Sequence, residues 1–141
     1  MIKKYAHVLL WMFVTAGVLA SLYGLKQHSA EIGTSACNVS QTFNCDLVNK
    51  SDYSEILGFP VAGIGLVGYL MIGAVAFFYR KEKDPMVGKL LLAATVGGVL
   101  FSLYLTGIEA FVLHAWCLIC LASLSSIVGA LLTSYLVTRE K

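Results

Sequence analysis

Four apolar stretches, at about 8–25, 60–79, 88–113 and 117–138, dictate what this chain can become. Each can cross a hydrocarbon core of about 30 Å as a helix, which takes about 20 residues. Inside lipid a backbone must satisfy its own hydrogen bonds, so spans of this kind are helical. The sequence therefore predicts an all-α integral membrane protein: a four-transmembrane-helix bundle with one long loop, 26–59, between the first and second helices. With 58% hydrophobic and 13% charged residues it is not an ordinary soluble domain. Its 141 residues fit a single membrane domain over 1–141. A net charge of +2 is too small to point to nucleic acid, and lipid is the first expected partner.

Charge placement orients the bundle. Lys3 and Lys4 precede the first span, Arg80, Lys81, Lys83 and Lys89 flank the second connection, and Arg139 and Lys141 close the chain, so eight of the ten basic residues fall on one side. Basic loops stay in the cytoplasm, which puts both termini inside. The long loop, with Lys26 and Lys50 against Glu31, Asp46, Asp52 and Glu55, lies outside together with His114-Ala115-Trp116. Lys3-Lys4 before an apolar run also resembles a secretory signal with Ala20 near its cleavage site. The run is long for that, and its removal would break the even span count. Pro60 suits a first helical turn, and Asp84-Pro85 marks a tight turn between the second and third spans. Ala94, Gly98, Ser102, Thr106 and Ala110 recur every fourth position, and Gly63, Gly65, Gly68 and Gly73 thin the second span. Such small residues let helix backbones approach in lipid, and packing alone explains them.

All four cysteines now lie at or beyond the outer boundary, where disulfides persist. Cys37 and Cys45 sit in the exposed loop. Cys117-Leu118-Ile119-Cys120 opens the fourth span, with Cys117 at the water boundary and Cys120 nearly one turn deeper. Unpaired N–H groups and the positive dipole end at a helix N-terminus stabilise a thiolate. A CxxC there has one sulfur suited to attack and to leave. Structural disulfides are the competing reading, and for Cys37 and Cys45 alone the simpler one. A zinc site is possible by count, but these spacings match no common ligand pattern, so no metal is expected.

Cys37-x7-Cys45, Ser51, Gly58-Phe59-Pro60 leading into Gly65 and Tyr69, and Trp116-Cys-Leu-Ile-Cys120 together resemble the vitamin K epoxide reductase family over nearly the whole chain. The resemblance implies a four-helix bundle around a quinone, capped by the first external loop. It implies that Cys37 exchanges with a thioredoxin-fold partner, that Cys45 passes electrons to Cys117, and that Cys120 delivers them to the quinone. Ser51 would hold the cap near the active pair, although a hydroxyl satisfying a turn explains it equally. Val61, Gly65, Leu124 and Cys120 would stand at the quinone. Val61 and Leu124 replace an asparagine and a tyrosine of the vertebrate enzymes, which argues against vitamin K epoxide as substrate. The chain resembles stand-alone prokaryotic members of the cytoplasmic (inner) membrane. These oxidise a separate periplasmic, Dsb-type thioredoxin-fold protein and reduce ubiquinone or menaquinone.

Glu109 lies about five residues inside the outer end of the third span. An intramembrane carboxylate is a functional candidate, and quinone reduction consumes protons, yet a side chain so near the interface can also reach water. His114 either stabilises a thiolate or sits among headgroups. Trp11, Tyr23 and Trp116 are sufficiently explained as interfacial anchors. Tyr53, Ile56, Leu57 and Phe59 suggest a short amphipathic segment at the bundle mouth, or a peptide-docking surface. Two rival functions remain at this point: a vertebrate-type vitamin K reductase, and a non-catalytic scaffold with structural disulfides.

Overall fold

The computed structural model describes residues 2–31, 38 and 40–139. Four helices carry the architecture: α1 (Ile2–Ser29), α3 (Val61–Glu82), α4 (Pro85–Ile108) and α5 (Leu118–Arg139). Each is long and apolar enough to cross a membrane. Large apolar side chains such as Leu19, Met71, Leu100, Leu103 and Leu132 face outward on all four helices, as lipid-facing surfaces require. The remaining elements form a cap between α1 and α3: helix α2 (Cys45–Asn49), a 3-10 turn at Asp52–Ser54, and a hairpin pairing β1 (Glu55–Ile56) with β2 (Phe59–Pro60).

Local chemistry fixes the helix ends. Lys83 ends α3 in the left-handed conformation and donates its N–H to Tyr79 O at 2.8 Å. Asp84 then caps α4, accepting from Met86 N at 2.9 Å, with Pro85 at the first position where no N–H is needed. Helix α3 starts one residue later than expected, because Pro60 is spent on β2 and the cap position. The third span holds a feature that its apolar run conceals. From Glu109 to Leu113 the α-helix widens into a π-helical turn, closed by His114 in the left-handed conformation.

Helix α1 packs chiefly on α5 and α3, and α4 on α5 and α3. Leu10, Val14, Tyr69, Ile72, Ala76, Leu91, Ile127 and Ala130 form the apolar core, in the middle of the bundle and toward the end away from the cysteines. Backbone proximity depends on glycine at several crossings. A Cβ at Gly17 would collide with the Tyr69 ring, and one at Gly98 would stand 2.8 Å from Ile127 Cδ1. Toward the cysteine end the helices separate around a cavity of about 340 Å³. Ala94, Gly98, Ser102 and Thr106 line it, so the small-residue stripe of α4 makes space there besides allowing close packing.

Candidate redox site

Two chain segments meet above the cavity. The cap segment before α2 runs parallel to the α4–α5 connection, pairing Phe43 with Trp116. Trp116 N donates to Thr42 O at 2.7 Å, and Asn44 N donates to Trp116 O at 3.1 Å. Asn44 also caps α2 by accepting from Leu47 N at 3.0 Å. These bonds set the first residue of α2, Cys45, directly against the residue preceding α5, Cys117. Both are fully buried, with their Sγ atoms 3.6 Å apart.

Cys45 is disulfide-bonded, whereas Cys117 and Cys120 are free thiols. Cys37 lies outside the described residues. Its neighbour Asn38 is held to α2, donating to Asp46 Oδ2 at 2.6 Å and accepting from Asp46 N at 3.3 Å.

Cys117 occupies the cap position of α5, and its sulfur accepts the N–H of Cys120 at 3.3 Å. It stands just outside the span that follows. A hydrogen bond with the Cys120 thiol holds its thiol below the usual cysteine range, outweighing the opposing effect of burial. The N–H of Cys120, in the first turn of α5, is thus directed at the Cys117 sulfur.

The other predicted residues divide. Ser51, Val61, Gly65 and Cys120 line the cavity. Ser51 Oγ donates to Val48 O at 2.8 Å, closing the turn after α2. Leu124 packs against the apolar core instead. The helix period explains this: Cys120, Ser123 and Ile127 share the cavity-facing side of α5, and Leu124 is turned about 100° from Ser123. His114 is exposed. Tyr53, Leu57 and Phe59 are exposed on the 3-10 turn and hairpin, so the expected amphipathic segment is a hairpin whose tip carries Leu57.

The sequence allows Glu109 either a functional role or access to water near the interface. The structure buries it to 2% exposure. Its Oε2 accepts from Cys117 N at 3.2 Å, and its carboxyl group also meets the Cys120 thiol. The π-helical turn was the missing information, because it swings the connection back over the side chain.

The cavity walls are mostly apolar, through Ile64, Ile72, Leu105, Ile119 and Ile127, with Ser21, Ser102 and Ser123 as scattered polar points. Tyr69 OH donates to Ser123 O at 2.7 Å and lies 3.0 Å from Ser123 Oγ. Gly68 borders open space, where a Cβ would meet nothing within 4 Å. A flat, mainly apolar ring with polar edges fits such a chamber, whose volume is in the range of small-molecule sites. Residues 8–135 match the model of the Vitamin K epoxide reductase family. The buried sulfurs, the four apolar helices and this match agree: the chain belongs to that family and is a membrane oxidoreductase.

Proposed function

We propose that this protein oxidises the thiols of a thioredoxin-fold partner outside the cytoplasmic membrane of a prokaryote and passes the electrons to a membrane quinone. The observation that carries this reading is the 3.6 Å approach of Cys117 to the disulfide-bonded Cys45. A thiolate attacking a disulfide needs contact, alignment and a suitable pKa, and no metal.

The partner's dithiol would reduce the Cys37–Cys45 disulfide, becoming a disulfide itself and leaving both loop sulfurs as thiols. Cys45 would then attack Cys117 of the Cys117–Cys120 disulfide, expelling the Cys120 thiolate. Cys37 would attack Cys45 in turn, restoring the loop disulfide and freeing Cys117. The arrangement of one bonded loop cysteine and two free thiols corresponds to the state after that transfer. Quinone, when bound, supplies the two-electron acceptor. Cys120, Val61 and Gly65 would hold it from the cysteine end, Cys120 presents the reacting sulfur, and the apolar walls exclude water. Val61 offers no side-chain hydrogen bond, which favours a respiratory quinone such as ubiquinone or menaquinone over an epoxide.

The orientation rests on charge. The chain ends and connections remote from the cysteines carry Lys4, Arg80, Lys81, Lys83, Lys89 and Arg139, which assigns that end to the cytoplasm. The test is quinone-dependent oxidation of a reduced periplasmic thioredoxin-fold protein by the purified protein in lipid. Turnover with ubiquinone or menaquinone is expected. Folded protein that turns over with neither contradicts the reading.

A further inference from the structure

Glu109 is the one carboxyl group among the described residues on the cavity wall, and Cys120 lines the same wall. Its contacts join both ends of the CxxC: the backbone N–H of Cys117 and the thiol of Cys120. Its own carbonyl accepts from Ala115 N at 3.2 Å, so the residue is fixed at both backbone and side chain. Among the described residues no Lys, Arg or His forms an ion pair with it; the one such contact joins His28 to Glu55 in the cap.

An amide would accept the Cys117 N–H equally well without the cost of placing an acid in an apolar site. The hydrogen bond therefore does not account for a carboxyl group. The other titratable side chains on the wall have different work. Tyr69 is engaged with Ser123, and His28 bridges Asn49 O at 2.9 Å and Glu55 Oε1 at 3.0 Å. Tyr53 belongs to the cap.

We propose that Glu109 is a catalytic proton carrier for the CxxC pair, taking the proton of the Cys120 thiol as the pair is oxidised and releasing it into the cavity. The step rests on the quinone reading above, and it balances. Two S–H bonds break and one S–S bond forms between Cys117 and Cys120. Two electrons and two protons pass to the quinone, which becomes quinol. Glu109 gains one of those protons from Cys120 and loses it again, ending as it began. π-Helical turns of this kind are frequent at functional sites, and this one places the carboxyl group against the Cys117 N–H and the Cys120 thiol.

Glu109→Gln separates proton transfer from hydrogen bonding, because the amide oxygen still accepts from Cys117 N. Stopped-flow reoxidation of the reduced pair by a soluble ubiquinone analogue should slow by about 100-fold, the usual contribution of a positioned acid or base. Trapping of the Cys45–Cys117 disulfide in a Glu109→Gln, Cys120→Ser double variant reports that the site is assembled. Glu109→Asp should recover part of the rate, and it carries the test if the amide variant does not fold. A second readout needs no quinone: time-resolved infrared spectra while a chemical oxidant converts dithiol to disulfide. A protonated-carboxyl band should change transiently in wild type and be missing in Glu109→Gln. Wild-type reoxidation rates in Glu109→Gln would overturn the proposal and leave the quinone reading intact. Slow reoxidation without a carboxyl change would overturn it in favour of a positioning role. Wild-type protein that no quinone reoxidises would overturn the underlying reading, and the proposal with it.

Discussion

At Cys117 one sulfur caps its helix by accepting the N–H of Cys120, and the Cys120 thiol holds its thiol below the usual range. A thiol held below the usual range keeps its thiolate as pH falls, so alkylation of Cys117 should persist at lower pH than for a free cysteine. Replacing Cys120 by Ala removes the thiol donor and should move the alkylation midpoint upward, toward the ordinary cysteine value. An unchanged midpoint would show that the helix end alone sets it. Ser51 offers a smaller effect. Ser51→Ala loses the bond to Val48 O and should cost about 1 kcal/mol, read as a Tm lower by a few degrees. The cysteines were legible as candidates because CxxC before an apolar helix has few other uses. Glu109 was not, because linear distance from the span end says nothing about a connection folding back over the side chain.

The four helices were legible, since apolar length, Asp84-Pro85 and the Pro60 boundary are local signals, although α1 already begins at Ile2, ahead of its apolar run. The elements of the cap were not. Its strands are two residues long, and its order comes from pairing with a connection more than 70 positions away, at Trp116. Leu124 shows the same limit inside a helix: its place depends on the rotation of α5 against α1 and α4, which the apolar run does not fix. Where packing is tight, it can be tested. Gly98→Ala should push Ile127 aside and cost about 1–3 kcal/mol. Ile127→Ala in the same chain should recover part of the loss, measured by a double-mutant cycle of thermal stability. Strictly additive costs would place the two residues apart.

At the scale of the whole molecule a cap sits on a bundle, tied down by specific hydrogen bonds. His28 at the end of α1 bridges Asn49 and Glu55, and Lys50 Nζ donates to His28 O at 3.0 Å and to Ala30 O. Removing the imidazole by His28→Ala should loosen the cap and make the buried Cys117 react faster with a water-soluble alkylating agent. An unchanged rate would assign the closure to the Trp116 pairing. The same geometry gives the central claim its most direct measurement. In a Cys120→Ser variant Cys117 has no partner within its own motif, so its thiolate should attack Cys45 and release the loop's other sulfur. Mass spectrometry of the purified variant should then find a Cys45–Cys117 disulfide as the main linked species. A variant that retains Cys117 as a free thiol beside an intact Cys37–Cys45 disulfide would contradict the relay.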